Sequence, residues 1–394
     1  MLGVVALAAG VLSVAPTASA GHGTVAIQVG ASLPGSPGES MRFLGPKSIT
    51  VHQGDRISFD FHGFHTATLL PAGVGADEWL EDNAEGTGPY SFIARDPDDG
   101  PNAYKDNFGF IVTPSDPSCG GSGERPCDYT GGEVVNSGAP QGPDESLFTA
   151  TVNARPGSSF WVVCLIHHRM RLRVKVSTDP TEATPQTEIN QARDAQIAQD
   201  TDLARAAHAK YNVRRSSHRT ESGRRVWDAW AGVDIGHVAL LAFYPKRLVV
   251  GEGETVRWRF DHLMYEDHTV SMPVPAVFGI NFDRPMCDPD GDAGTQEDTP
   301  AEEHEEGPPT CPEGSELEID IEDEFWSGVG NGALTGRNDV EHSGIRGAQA
   351  ADISPPAAGT GPFDVRFTDP TGKNPVEFIC FIHGNMVGNV HVRR

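Results

Sequence analysis

The sequence predicts an all-β protein with two similar domains, and three observations support this. At 394 residues the chain is long enough for two domains of ordinary size. It contains 45 Gly and 30 Pro and few long helical patterns, a composition that favours strands joined by long loops. A set of strand-like segments also occurs twice in the same order, which is the signature of an internal repeat.

The repeat begins with two pairs of alternating strands, at residues 43–61 and 243–260. In each copy a Pro-Lys precedes the first strand, and a Gly-acid turn leads into the second. A His-Thr follows shortly afterwards, at His65 and at His268. Much later each copy has an apolar strand, the spacing C-x-x-H-x-x-M and a final short strand. The agreement in order and spacing indicates two copies of one domain.

The first 20 residues are predicted to be a signal peptide. They are small and apolar, and they end in Ala18-Ser19-Ala20, which fits the A-x-A cleavage pattern. The apolar core is too short to span a bilayer. We therefore expect an exported protein, secreted or otherwise outside the cytoplasm, with no integral membrane segment in the mature chain.

The predicted domains are residues 21–178 and 233–394, joined by a linker over 179–232. Within the linker, Thr184-Pro185 can begin a helix that runs to about Tyr211. A basic stretch follows, from Arg214 to Arg225. We interpret this segment as a linker helix with a solvated tail, and the alternative is a docking patch for a partner.

The formal net charge of −25 excludes some classes of partner. Nucleic acids and anionic membrane surfaces require a basic face, so binding to either is not expected. The charge is compatible with a basic redox partner protein or with a high-salt habitat. The sequence does not predict an oligomeric state.

Six cysteines divide into two groups. Long polar insertions contain four of them, and we predict the disulfides Cys119–Cys127 and Cys287–Cys311, which would staple loops with little apolar surface. A zinc or thiol-exchange site is the alternative, but no C-x-x-C spacing is present. Cys164 and Cys380 remain as free thiols in an oxidising compartment, and metal binding explains why they stay unpaired.

The repeated pattern supplies the donors of a mononuclear blue (type 1) copper centre twice. Such a centre uses one thiolate, two imidazoles and a weak axial thioether. Any one of these residues alone is more often a core thiol, a surface imidazole or a packing residue. The joint pattern in both copies predicts two sets of copper ligands: His65, Cys164, His167 and Met170 in the first, and His268, Cys380, His383 and Met386 in the second.

Two further assignments follow from comparing the copies. Gly384 stands where the first copy has His168, so His167 is the predicted ligand and His168 an exposed neighbour. Thr66 and Thr269 directly follow the first histidine of each set. Their backbone amides are candidate hydrogen-bond donors to the cysteine sulfur.

The paired strands, the His-Thr strand end and the C-x-x-H-x-x-M loop resemble those of the cupredoxins plastocyanin, amicyanin and pseudoazurin. The resemblance covers roughly residues 25–72, 145–178, 235–275 and 360–394. It implies a Greek-key β-sandwich for each domain and a function in carrying single electrons.

Enzymes and copper stores are the alternatives. Copper nitrite reductases carry a His directly before the ligand Cys, whereas this chain has Val163 and Ile379 there, and it contains no His-x-His pair of the multicopper oxidase type. We therefore expect an electron carrier and not an enzyme, with a copper-binding or storage protein and a two-domain copper oxidoreductase as alternatives. Four unassigned histidines near the repeat motifs could form a catalytic type 2 site: His62, His168, His262 and His342.

Overall fold

The computed structural model describes residues 23–84, 88–95, 104–122, 124–140, 146–213, 215–274, 283–288, 299–300, 302–304, 307–310, 316–321, 328–336, 339–347 and 361–394. The predicted signal peptide lies outside the described part of the chain, as does Cys311 of the predicted Cys287–Cys311 disulfide. No helix among the described residues is both long enough and apolar enough to cross a membrane.

The first unit is built from twelve strands and two short helices within the described ranges. In chain order they are β1 (Thr24–Leu33), β2 (Gly38–Leu44), β3 (Ser48–His52), β4 (Arg56–Phe61), β5 (Thr68–Leu69), α1 (Ala76–Asn83), β6 (Ile93–Arg95), β7 (Tyr104–Asp106), α2 (Phe108–Val112), β8 (Cys127–Tyr129), β9 (Val135–Asn136), β10 (Leu147–Val152), β11 (Ser159–Val163) and β12 (Arg171–Ser177).

A helical segment connects the two units. It comprises a short 3-10 helix (Pro180–Glu182), the long helix α3 (Gln186–Asn212) and β13 (Ser216–Arg219).

The second unit repeats the strand order of the first. Its elements are β14 (Arg225–Ile235), β15 (Val238–Tyr244), β16 (Arg247–Gly251), β17 (Thr255–Arg259), β18 (Ser271–Met272), β19 (Asp283–Asp288), β20 (Thr299–Pro300), β21 (Glu302–His304), β22 (Gly307–Thr310), β23 (Glu316–Ile321), β24 (Ala333–Leu334), β25 (Glu341–His342), β26 (Phe363–Phe367), β27 (Val376–Ile379) and β28 (Val387–Arg393).

Each unit is a sandwich of two sheets. One layer of the first unit has the order β2-β1-β4-β10-β8 and the other has β3-β12-β11-β5-β9, so the chain crosses repeatedly between the layers, as a Greek-key sandwich requires. Strand β12 alternates buried and exposed residues along its length, the pattern of a sheet with one face on a core. The predicted all-β fold of two sandwich domains with a partly helical linker is confirmed.

One layer of each unit joins that of the other in a single continuous sheet. Strand β2 pairs antiparallel with β15, which gives the order β24-β26-β17-β14-β15-β2-β1-β4-β10-β8. The order of the second unit mirrors that of the first about this junction. At its centre Glu39 pairs with Ala239, flanked by the pairs Gly38–Leu240 and Ser40–Val238. The two units are therefore related by a local two-fold axis that passes close to Glu39.

Strand β14 corrects the predicted domain boundary. It begins at Arg225, inside the segment 179–232 predicted as linker, and it pairs with β15 and β17 as β1 pairs with β2 and β4. The second unit thus begins before residue 233. The sequence did not reveal the start of this strand, because the basic stretch lies within the hairpin that β13 and β14 form.

The predicted Cys119–Cys127 disulfide is present and closes a short loop in the first insertion. The free thiols among the described cysteines are Cys164 and Cys380, and both are buried. For these four cysteines the structure matches the prediction.

Helix α3 packs across the junction of the two units. A small apolar cluster lies beneath it and combines side chains from both units, including Leu33, Tyr211 and Trp230. Asp200 of α3 is 1% exposed and accepts hydrogen bonds from Ser40 Oγ at 2.7 Å and from Arg42 Nε at 2.9 Å. Helix α3 therefore stabilises the junction of the two units at the shared sheet.

Replacing Asp200 should test whether α3 stabilises the junction. Asp200→Ala leaves the Arg42 guanidinium and the Ser40 hydroxyl without their acceptor, so we expect the free energy of unfolding to fall by roughly 3 kcal/mol. Denaturant unfolding measures the change. Asp202→Ala, an exposed position on the same helix, is the control and should shift stability by no more than about 0.5 kcal/mol. Equal stability of the two variants would contradict the stabilising role of Asp200.

Candidate metal centre

Three donor atoms of the first unit converge in its interior. The Nδ1 atoms of His65 and His167 are 2.9 Å apart, and His167 Nδ1 is 3.6 Å from Cys164 Sγ. The three ligand atoms lie within 4.8 Å of one another. All three residues are at most 3% exposed, so the donors face each other in a space closed to solvent.

Strand ends position these donors. Cys164 directly follows β11, and the loop that it begins is closed by two backbone hydrogen bonds, from Met170 N to His167 O at 2.8 Å and from Cys164 N to Met170 O at 3.2 Å. Strand β12 starts at the next residue, Arg171. His65 lies between β4 and β5, and β5 pairs with β11, which brings His65 next to Cys164. One tight loop and one neighbouring strand therefore build the whole group.

The second unit repeats this arrangement. His268 Nδ1 lies 3.0 Å from His383 Nδ1, and Cys380 Sγ lies 3.6 Å from His383 Nδ1 and 3.8 Å from His268 Nδ1. Its loop is closed by the same pair of backbone hydrogen bonds, between Met386 and His383 and between Cys380 and Met386. The structure thus brings together the predicted His-Cys-His residues in both units.

The two predicted methionine ligands are buried at the ends of these loops. Met170 and Met386 are each 1% exposed and follow the second histidine of their group by three residues. Their backbones are tied to the cysteine of the same group, as described above. Each unit therefore has a buried methionine whose backbone is hydrogen-bonded to that of the ligand cysteine.

Each cysteine sulfur accepts a backbone hydrogen bond. Thr66 N donates to Cys164 Sγ at 3.3 Å, and Thr269 N donates to Cys380 Sγ at the same distance. The hydroxyl oxygens of these threonines accept the amides of Leu165 and Phe381, both at 2.8 Å. The prediction that Thr66 and Thr269 supply donors to the sulfur is confirmed.

The donor chemistry fits a thiophilic cation. Burial raises the pKa of the Cys164 thiol, but the charge of His167 and hydrogen bonds from His167 and His65 lower it, and the net pKa lies well below its usual value. The same competition holds the pKa of Cys380 well below its usual value. A thiolate is therefore favoured in both groups. Two imidazole nitrogens and a thiolate that converge on one point form a donor set for a thiophilic metal ion.

Two glycines make room for the first histidine of each group. Gly30 and Gly232 stand at bulges of β1 and β14 with φ of +73° and +76°. A Cβ atom on Gly30 would lie 2.4 Å from His65 Nε2, and one on Gly232 would lie 2.1 Å from His268 Nε2. The glycines therefore let the ring pack directly against the backbone of the neighbouring strand. Aligning the two copies further towards the N-terminus would have revealed both positions.

Glu266 connects the two groups, and sequence reasoning missed it. Its Oε1 lies 3.1 Å from His167 Nε2 in the first unit, and its Oε2 lies 3.2 Å from His383 Nε2 in the second. Burial raises the pKa of Glu266, but the charges and hydrogen bonds of His167 and His383 lower it to well below the usual value. Conversely, although burial lowers the pKa of His383, hydrogen bonds to Cys380 and Glu266 raise it to about 10.

An inserted segment carries Glu266 to this place. Phe61 and His65 of the first copy are separated by three residues, whereas Phe260 and His268 of the second are separated by seven. The longer segment was the available signal in the sequence.

The structure anchors this segment to both units. Asp234 Oδ2 accepts the amides of Met264 and Tyr265, at 2.5 and 2.7 Å. The Tyr265 ring is buried in the hydrophobic core of the first unit.

The four unassigned histidines do not come together. His62 is exposed and lies 3.3 Å from Asp60, while His262 is exposed and packs near Tyr211. His168 is half-buried, not exposed as predicted, because its Nε2 bonds the Leu165 carbonyl at 2.9 Å. Burial lowers the pKa of His168 to about 4.

His342 has a structural role. It is buried, and its Nδ1 lies 2.6 Å from Ser271 Oγ, as Asn136 Oδ1 bonds Thr68 Oγ1 at 2.8 Å in the first unit. Among the described residues, the groups able to hold a metal are the two His-Cys-His sets, and none of these four histidines belongs to either.

No family model matches the sequence, and no curated protein matches it. Solved structures do. A copper-containing nitrite reductase from Thermus scotoductus shows 12% identity and a TM-score of 0.21, over 94% of this chain and 68% of that one. A blue copper oxidase from Nitrosomonas europaea shows 9% identity and a TM-score of 0.16, over 94% and 86%. A multicopper oxidase shows 13% identity and a TM-score of 0.18, over 94% and 88%.

These comparisons contradict the prediction that the chain is not an enzyme, because the structures matched are copper enzymes; that prediction is wrong. It rested on the absence of His-x-His pairs and of a His before each cysteine. Those absences exclude particular ligand arrangements and do not exclude catalysis as such. At TM-scores of 0.16 to 0.21, the similarities assign no reaction to this chain. The two His-Cys-His groups themselves offer the thiolate and imidazole donors that suit a thiophilic metal ion.

The close approach at Gly30 gives a test of the first group. Gly30→Ala should displace the His65 ring and weaken copper binding in the first unit at least tenfold, while the second unit retains its copper. Gly73→Ala is the matched control, since Gly73 has a similar φ of +86° but open space around it. Both variants carry a backbone cost of about 1–2 kcal/mol. Copper titration distinguishes them, and unchanged affinity in Gly30→Ala would refute the role of this glycine.

Proposed function

We propose that this chain is an exported redox protein that holds two type 1 copper centres and exchanges single electrons through them. The first cupredoxin domain covers residues 21–178, and the second begins with β14 at Arg225. The proposed ligands are those of the two repeated sets: His65, Cys164, His167 and Met170, and His268, Cys380, His383 and Met386.

One observation carries this proposal, namely the group of two Nδ1 atoms and one buried cysteine sulfur that occurs twice with nearly equal distances. A thiolate and two imidazoles, with a thioether next in the chain, form the donor set of a blue copper centre. When bound there, copper supplies a reversible one-electron couple.

The residues of the chain keep each site rigid and dry. The two loop-closing hydrogen bonds fix the conformation of the loop between cysteine and methionine. The threonine amide holds the cysteine sulfur in place. Cys164 and Cys380 are both 0% exposed, so water cannot reach the thiolate. Such a site needs little rearrangement when its charge changes, which suits electron transfer better than the release of stored copper.

The proposed partner is a redox protein with a basic surface. The net charge of −25 favours association with positively charged proteins, and this attraction weakens with added salt. Export, through the predicted signal peptide, belongs to the same proposal.

A copper oxidoreductase that uses the same two centres is the second candidate, and a pair of carboxyls at the domain junction favours it. Glu39 lies at the local two-fold axis, within electrostatic range of Glu266. Burial, followed by the charge of Glu266, raises the pKa of Glu39. A carboxyl with a raised pKa can act as a general acid towards a substrate that is reduced nearby. Copper-dependent reduction of dioxygen or nitrite that is lost in Glu39→Gln but kept in the exposed control Glu78→Gln would establish this candidate.

The main proposal predicts two coppers per chain and an intense thiolate-to-copper absorption band in the visible range. Cys164→Ser and Cys380→Ser should each remove one copper and about half of the absorption, because each ligand set supplies one thiolate. His168→Ala is the control and should keep both, since His168 bonds a carbonyl and lies outside the donor group. Metal analysis with absorption spectroscopy measures both quantities. A protein that binds one copper, or none with this band, would contradict the proposal.

A further inference from the structure

Glu266 makes the same contact in both domains. Its two carboxylate oxygens lie 3.1 and 3.2 Å from the Nε2 atoms of His167 and His383, and its side chain is 9% exposed. A carboxylate with its charge intact only accepts hydrogen bonds, so each ring must donate from Nε2. Glu266 therefore holds a proton on the outer nitrogen of one histidine in each domain.

The opposite nitrogen of each ring faces the donor group. His167 Nδ1 and His383 Nδ1 lie 3.6 Å from the sulfur of their own cysteine. A neutral imidazole with its proton on Nε2 presents a lone pair at Nδ1, which is the form that binds a metal. A carboxylate that fixes the proton also fixes the ring orientation and increases the basicity of the ligand.

We propose that Glu266 is a positioning residue shared by the two copper sites, so that the metal affinity of the first domain depends on a side chain of the second. This inference rests on the proposed function, because it concerns the same two ligand sets.

The local symmetry of the chain supports a shared role. Glu266 precedes His268 by two residues, and the corresponding residue of the first copy is Gly63, before His65. Gly63 has φ of +133°, and a Cβ there would lie 2.9 Å from His65 Nε2 and 3.3 Å from Glu39 Oε2. The first copy thus has no carboxylate at this position and little space for one. One glutamate serves two symmetry-related histidines.

A buried negative charge beside both rings should stabilise the divalent form of copper more than the monovalent form. Removing the charge then weakens Cu(II) binding more than Cu(I) binding and raises the reduction potential of each site. A tenfold loss in Cu(II) affinity alone corresponds to a rise of about 59 mV for a one-electron couple. The increase in the reduction potential of the first site is the distinctive effect, since the substituted residue, Glu266, belongs to the second domain.

Glu266→Gln tests the inference, because a glutamine carbonyl can accept from only one ring and its NH₂ group faces the other donor. Cu(II) affinity and potential are measured at each site alone, in Cys380→Ser for the first site and in Cys164→Ser for the second. We expect Cu(II) affinity to fall about 10–100-fold at both sites. Glu254→Gln is the control: Glu254 accepts from Trp227 Nε1 and Gly251 N at the opposite end of β17 and should leave both sites unchanged.

The outcomes separate the two proposals. If the parent protein lacks thiolate-bound copper, the proposed function fails. If it binds two coppers and Glu266→Gln alters only the second site, the shared role of Glu266 is refuted while the proposed function stands. Nitrogen-detected NMR of the Cu(I)-loaded parent covers the case in which Glu266→Gln does not fold. Slowly exchanging Nε2 protons on both His167 and His383 support the inference, and rapid exchange of either one overturns it.

Discussion

The antiparallel pairing of β2 with β15 determines how the rest of the molecule is arranged. It joins one layer of each sandwich into a continuous sheet and places a local two-fold axis at the Glu39–Ala239 pair. Ligand loops that two-fold symmetry relates then meet near this axis. Without the pairing, Glu266 could not contact a histidine of the first domain. Helix α3 stabilises the same junction through Asp200, and Tyr265 does so from the inserted segment.

A buried carboxylate at such a junction would normally be destabilising. The cost of removing a charge from water is recovered only when hydrogen bonds satisfy it. Glu266 meets this condition through two imidazole donors, one on each oxygen. The Nδ1 atoms of those imidazoles in turn lie 3.6 Å from Cys164 Sγ and Cys380 Sγ, so a continuous chain of polar contacts runs from Cys164 through Glu266 to Cys380. The stability of the domain junction and the electrostatics of the two donor groups are thus parts of one network.

Residue spacing and polarity within short segments were sufficient to predict much of this structure. The spacing C-x-x-H-x-x-M and the alternating strands depend on neighbours in the chain, so they predicted the sandwich fold and the convergence of His65 with Cys164 and His167. The free thiols and the Cys119–Cys127 disulfide followed from cysteine context. The helix predicted to begin at Thr184-Pro185 and to run to about Tyr211 is α3.

The features that escaped prediction depend on packing between the repeats. Glu266 contacts residues 99 and 117 positions away in the chain (266 − 167 and 383 − 266), and no sequence pattern reports such a contact. Strand β14 was obscured by the arginines that flank it, and Gly30 matters only because the His65 ring approaches it. The prediction that the chain is not an enzyme failed for a related reason, since it inferred the absence of a function from the absence of motifs.

X-ray absorption spectroscopy of the copper-loaded protein tests the central claim most directly. The claim is that each copper is bound by one thiolate and two imidazoles within a buried group. The spectrum should show one short copper–sulfur contact and two copper–nitrogen contacts per copper, averaged over two equally occupied sites. A spectrum with only nitrogen and oxygen neighbours, or with sulfur at half of the coppers, would contradict it.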